Sequence, residues 1–143
     1  MNAIDRIKPS VGLVVWRDNQ VLLIKRAKPP FQGHWSIPGG KLEPGETLHD
    51  AAMRELMEET AVRAEIVGLI DVYESIAPTY HYVMIDYAAI WRSGEPKAGD
   101  DASDAAFFEY EDAAARLSWD LTRTALAQSR PLIERHNLAA KSG

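Results

Sequence analysis

Apolar positions along this chain fall into short, nearly continuous runs, broken once by a helical spacing in the middle and again towards the end. Val11 to Trp16 (VGLVVW) and Val21 to Ile24 (VLLI) are rich in branched residues and predict two strands. Arg17-Asp18-Asn19-Gln20 between them predicts a hairpin turn, and the second strand closes on Lys25-Arg26. Ala27 to Gly33 is a proline-bearing loop, and Trp35-Ser36-Ile37 a short extended piece leading into Pro38-Gly39-Gly40. Glu43-Pro44-Gly45-Glu46 sets proline and glycine where a type II turn wants them. Thr47 then stands as an N-cap, and Asp50 three residues on makes an aspartate variant of the capping box. The helix it opens runs to about Thr60, with Ala52, Met53 and Leu56 on its apolar face. Ile66 to Tyr73 and Tyr82 to Trp91 predict strands. Ser93 to Asp104 is a polar loop, and Phe107 to Tyr110 a last short strand. Glu111 to Leu117 and Leu121 to Arg135 predict helices, and the tail from Asn137 is expected to fray. Strands mixed with a central and a C-terminal helix give an α+β fold in one domain over residues 1–143.

Composition narrows the function classes. The chain has 46% hydrophobic and 26% charged residues, as a soluble globular domain does. It has no cysteine, which excludes disulfides, thiolate nucleophiles and thiolate metal sites, and fits a reducing cytoplasm. MNAIDRIKPS at the start contains no apolar run like a signal peptide, and no segment is built to span a bilayer; a cytoplasmic location without membrane contact is expected. The net charge of −5 argues against broad nucleic-acid binding. It leaves room for a small phosphorylated substrate, because bound cations would invert the sign at an acidic site.

The candidate chemistry lies in Gly39 to Val62, GGKLEPGETLHDAAMRELMEETAV. A helix brings residues three and four apart to one face, so Glu55, Glu58 and Glu59 converge, with Arg54 beside Glu58. A charged helix face is ordinarily only solvated, but three carboxylates this close repel and call for a counter-charge. Arg54 supplies one positive charge, and a bound cation would supply the rest. Oxygen-only ligands point to Mg²⁺, or Mn²⁺, rather than zinc. The four scattered histidines show no metal-ligand spacing. Phe31, Trp35 and Tyr73 are aromatic groups able to stack on a base or to fill the core.

This stretch resembles the Nudix box, the signature of enzymes that hydrolyse nucleoside diphosphates linked to another moiety. The family pattern is Gly, five residues, Glu, seven residues, then Arg-Glu-U-x-Glu-Glu-x-Gly-U, with U bulky and aliphatic. Gly40, Glu46, Arg54-Glu55-Leu56-Met57-Glu58-Glu59-Thr60 and Val62 fit it. Ala61 departs, standing where the family has glycine; if the helix exit needs positive φ, alanine costs about 1 kcal/mol there. The resemblance implies a mixed sheet sandwiched between helices. It implies that Glu55, Glu58 and Glu59, with the Gly39 carbonyl, hold the metal, that Arg54 holds the glutamates, and that Glu46 supports the loop or the surroundings of the metal. The base would be one of the glutamates or an acid from a distant loop, with Asp101 ahead of Asp100 and Asp104. Arg26, Gly40, Lys41, Tyr73 and His81 are the candidate substrate contacts. His81 to Tyr87 (HYVMIDY) and Gly99-Asp100-Asp101 are similar to segments of small bacterial Nudix ADP-ribose pyrophosphatases. This favours ADP-ribose or an ADP-sugar, over a nucleoside triphosphate in nucleotide-pool cleansing and over a non-catalytic nucleotide-sensing module. Larger family members often dimerise through an added N-terminal domain; with about ten residues before the first strand here, that mode of dimerisation is not expected, and monomer and homodimer both stay open.

Overall fold

The computed structural model describes residues 6–29, 31–99 and 101–142. Within them the chain forms β1 (Lys8–Arg17), β2 (Gln20–Arg26), β3 (Trp35–Ser36), β4 (Gly39–Lys41), α1 (Leu48–Thr60), β5 (Arg63–Ala77), β6 (Tyr80–Ser93), β7 (Ala102–Glu109), α2 (Tyr110–Arg116) and α3 (Asp120–Ser142). The strands make one mixed sheet with the path β3-β2-β1-β6-β5. β1 and β6 run parallel, from Lys8 opposite Tyr82 to Trp16 opposite Ile90. The β1–β2 hairpin is paired only at Trp16–Val21 and Arg17–Gln20. Beyond those pairs β4 joins β1, with Gly39 opposite Gly12 and Gly40 opposite Val11, while β7 joins β2 from Gln20 to Arg26. A Cβ at Gly39 would collide with the Val11 carbonyl oxygen, so only glycine lets β4 approach β1 this closely.

The apolar runs of β1 and β2 are continuous because both faces of the sheet are covered. Leu13 and Val15 face α1, packing with Leu22, Ala51, Ala52, Leu56, Val62 and Ala89. Val14 and Trp16 face the other way, towards Ala113, Leu117, Ala125, Leu126 and Ile133 of the α2–α3 segment. Truncating Leu13 or Leu56, both fully buried, to alanine would cost about 2–5 kcal/mol. Trp16 lies against Tyr110 with ring centroids 5.5 Å apart, and its Nε1–H donates to Ser129 Oγ at 2.9 Å. The mixed sheet between helices is the α+β arrangement expected above.

The elements run longer than their apolar runs. β5 and β6 pair from Arg63–Ser93 to Ala77–Tyr80, because β5 is an edge strand and tolerates polar residues that a periodicity reading assigns to loops. β7 begins at Ala102, inside the segment read as a polar loop, drawn into pairing with β2. The expectation that the tail frays from Asn137 is corrected: α3 continues through Ser142, over helix-favouring alanine and lysine. No helix among the described residues is long and apolar enough to cross a membrane.

Candidate active site

Helix α1 delivers the acidic face. Thr47 caps it, its Oγ1 accepting the Asp50 N–H at 3.1 Å, and buried Ala52 and Leu56 root the opposite face in the core. At the exit Ala61 takes φ 61° and ψ 17°, the left-handed conformation that glycine adopts without strain, and its N–H bonds to the Met57 carbonyl at 3.0 Å. Glu59 is only 5% exposed and accepts the Gly39 N–H at 2.8 Å. The Glu55 carboxyl lies over Gly40, where a Cβ would fall 2.5 Å from Oε2. Burial pushes Glu59 up to about 8, with Glu55 and Asp101 adding to the rise while the Gly39 N–H and Arg26 oppose it. Burial also pushes Glu55 up, against the pull of Arg54.

Arg54 ties this face to the loop before the helix. It grips Glu46 with two bonds, Nε to Oε2 at 2.6 Å and Nη2 to Oε1 at 2.8 Å. Nη2 also donates to the Lys41 carbonyl at 3.0 Å, and Nη1 to Glu55 at 2.9 Å and Glu58 at 3.3 Å. The Arg54 hydrogen bond holds Glu46 at about 2, well below the usual carboxylate range, and Glu46 in turn drives the arginine's pKa further up. Glu46 therefore holds the loop through Arg54 itself, and also accepts the Glu43 N–H at 3.0 Å.

The donor set suits a hard divalent cation. Glu59, buried, and Glu55, partly buried, lie on one helix face, and Arg54 beside Glu55 is already shared among several carboxylates. The Gly39 backbone adjoins Glu59. Among the described residues no three His, Asp or Glu side chains yet converge closely enough to enclose an ion. Glu58, half-exposed, leans on Arg54 and would have to turn towards the other two.

A cleft of about 370 Å³ opens beside this face. Gly39, Gly40 and Lys41 line one part of it, and Gly12, Tyr73, Tyr82, Met84 and Asp86 another. Arg26, Gly40, Lys41 and Tyr73 all border the cleft. The Tyr73 hydroxyl is taken up by Gln128 Oε1 at 2.5 Å, and burial pushes it up to about 12. Phe31, at φ 63°, stacks on Trp119 at 6.0 Å, whereas Trp35 packs edge-on against Phe108 at 5.0 Å. His81 is corrected. Tyr80, Tyr82, Met84 and Asp86 of β6 border the cleft, so alternation turns His81 away, towards Glu74 at 3.1 Å. A second hollow of about 440 Å³, lined by Met53, Arg54, Met57, Val62, Arg63 and Ala64, contains no acid.

The distant loop does reach the helix. Lys97 N–H bonds to the Thr60 carbonyl at 2.8 Å and Gly99 N–H to the Glu59 carbonyl at 3.0 Å, capping the end of α1. A Cβ at Gly99 would strike the Glu58 carbonyl oxygen. Asp101 is thereby close enough to raise both Glu55 and Glu59, and it pairs with Lys28 at 3.0 Å. Asp104 sits on β7 opposite Lys25, bonded to the Ala105 N–H at 2.8 Å. Asp100 lies outside the described residues. The sequence reading missed Asp86 and Trp119. For Asp86 the signal was present: an acid in the middle of an apolar strand.

The NUDIX domain profile matches residues 6–129, and the chain belongs to that family. It is 40% identical over 107 residues to an ADP-ribose pyrophosphatase of Methanocaldococcus jannaschii, an overlap covering 72% of this chain and 63% of that protein. It thus spans just under two thirds of that relative's length. It is 39% identical over 67 residues to an 8-oxo-dGDP phosphatase of Mus musculus, covering 47% of this chain and 21% of that one. The crystal structure of a MutT NUDIX hydrolase from Burkholderia pseudomallei superposes with a TM-score of 0.75 at 31% identity, over 87% of this chain and 98% of that one.

Proposed function

We propose that this chain hydrolyses a nucleoside diphosphate linked to another moiety, with ADP-ribose or a related ADP-sugar as substrate and AMP and a sugar phosphate as products. The observation that carries the reading is the pair of acids, buried Glu59 and partly buried Glu55, set against Gly39 and Gly40 and braced by Arg54 at the edge of an open cleft. A pyrophosphate linkage is kinetically inert because its anionic oxygens repel a nucleophile. A divalent cation held by Glu55, Glu58, Glu59 and the Gly39 carbonyl would neutralise that charge and acidify a water. Gly39 and Gly40 carry no side chain to keep a phosphate from the backbone, and Arg26 and Lys41 border the same cleft. Asp101 is the proposed base: it takes the proton of the attacking water, whose oxygen bonds to phosphorus as the bridging oxygen leaves. Arg54 does not meet substrate, because its guanidinium is occupied by Glu46, Glu55 and the Lys41 carbonyl; it positions the acids.

The adenosine diphosphate preference draws on the likeness to the archaeal pyrophosphatase. The likeness to an 8-oxo-dGDP phosphatase supports the second reading, an oxidised nucleotide as substrate. The test is chromatography of products after incubation with Mg²⁺ and ADP-ribose, ADP-glucose, NADH, diadenosine polyphosphates and common and oxidised dNTPs. AMP appearing fastest from ADP-ribose supports the first reading, and pyrophosphate from a dNTP the second. Glu58→Gln should abolish turnover with the fold intact; near wild-type activity removes Glu58 from the metal site. Nucleotide binding without turnover of any substrate makes the chain a sensing module.

A further inference from the structure

We propose that Asp86 selects the base of the substrate, accepting a hydrogen bond from an exocyclic amino group such as N6 of adenine. The inference rests on the hydrolase reading for the identity of the ligand and on the following geometry for the residue. Asp86 is 6% exposed in a strand whose neighbours are Ile85, Tyr87, Ala88 and Ala89. Among the described residues its carboxyl has no hydrogen-bond or ion-pair partner. A buried acid is normally paired, because leaving it alone in an apolar setting is costly. Among the described residues no buried side-chain oxygen or nitrogen is sealed off without a partner, so the Asp86 oxygens retain access to the outside, and the cleft is what they border. The chain also leaves room for this carboxyl: a Cβ at Gly12 would come 2.5 Å from Oδ1 and 3.1 Å from Ile37 Cδ1.

Its position fits the nucleoside end of a substrate. Gly39, Gly12 and Asp86 stand in register across β4, β1 and β6. Two strand spacings separate Asp86 from the glycine turn, roughly 10 Å. The Asp86 carboxyl leans back over Gly12, one strand spacing from Gly39, and an acid there repels a diphosphate at Gly39–Gly40 rather than binding it. Instead it shares its part of the cleft with Tyr73, Tyr82 and Met84, flat or soft apolar groups against which a base can rest. Burial pushes Asp86 up to about 7, so near neutrality much of it is the uncharged acid. A carboxylic acid offers a donor beside an acceptor. Adenine presents the matching pair, the N6 amino group beside N7, whereas guanine presents two acceptors, O6 and N7, on that edge. The ionised form still accepts from an amino group and still finds none on the 6-oxo edge.

The test is equilibrium binding of nucleoside monophosphates to the whole chain, read by calorimetry. The probes are AMP, purine riboside 5′-monophosphate, which lacks the amino group, and IMP, which carries a 6-oxo group. The wild type should favour AMP over both by roughly ten- to a hundred-fold, the effect of one lost hydrogen bond to a buried polar group. Asp86→Ala should bring the three ligands within about two-fold of one another, on the same principle. Asp86→Asn, which keeps a donor beside an acceptor, should retain the order. A wild type indifferent to the amino group overturns the inference, and needs no variant to fold. A folded Asp86→Ala chain that keeps the preference overturns it as well. So does a loss of affinity with 2′- or 3′-deoxy-AMP that replaces the loss with purine riboside monophosphate, since the carboxyl would then meet ribose. Base preference without hydrolysis of any substrate refutes the hydrolase reading and leaves this one standing. Hydrolysis without base preference does the reverse.

Discussion

Glu59→Gln tests the energetic core of the site. Glu59 is buried, bonded to the Gly39 N–H, and raised from an ordinary 4.5 to about 8 chiefly by burial. With metal removed, the folded chain keeps a proton on Glu59 between those pH values that the unfolded chain has released. Its stability must therefore fall as pH rises from about 4.5, and flatten above about 8. Each pH unit in that window is worth about 1.4 kcal/mol, giving a ceiling near 5 kcal/mol; water at the cleft edge brings the expected figure to about 2–3 kcal/mol. Glutamine keeps the shape and the acceptor for Gly39 but cannot ionise. In EDTA the variant should match wild type near pH 5 and exceed it by about 2–3 kcal/mol near pH 9. With roughly 2.1 cal/mol/K per residue over 143 residues, that is a melting-point gain of about 7–10 °C. Asp86 is also raised by burial and slopes the same way in both proteins, so the difference isolates Glu59. Urea unfolding followed by tryptophan fluorescence across this range is the assay. Millimolar Mg²⁺ should lift wild type at high pH and leave the variant unmoved. Two stability profiles that run parallel from about pH 5 to about pH 9 would refute the reasoning.

Three further outcomes are expected. Ala61→Gly removes the left-handed strain at the exit of α1 and should add about 0.5–1 kcal/mol, or about 2–3 °C in calorimetry, without altering turnover. Arg54→Lys keeps the charge but loses the two-pronged grip on Glu46; kcat/KM for the substrate found by product analysis should fall by about a hundred-fold or more, while far-UV dichroism is unchanged. Asp101→Asn should lower kcat by about a hundred-fold or more in the chromatographic assay, whereas Lys28→Ala, which frees Asp101 from its ion pair, should leave kcat within a few-fold of wild type.

The sequence carried the acidic helix face almost whole, because the box is local. Glu55, Glu58, Glu59 and Arg54 lie within two turns of one helix, and helical geometry alone brings them together. Thr47 as cap and Ala61 as a strained exit were legible for the same reason. The strand cores of β1 and β2 were legible from apolar runs, but their ends were not. Where β5, β6 and β7 stop depends on hydrogen bonds to strands tens of residues away, and a polar residue pairs as well as an apolar one at an edge.

What only the tertiary structure decided is the distinction among residues of the same type. Parity on β6 sends Tyr82, Met84 and Asp86 into the cleft and His81 away from it, and that parity is fixed by the register of β6 on β1. The capping of α1 by Lys97 and Gly99 carries Asp101 to the glutamates, a contact no spacing in the chain foretells. Asp86 itself reads from the sequence as an oddity in an apolar strand. Its meaning comes from Gly12 beside it and the absence of any partner among the described residues, which are properties of packing. Local rules determine which chemistry this chain can perform; long-range register determines what that chemistry is pointed at.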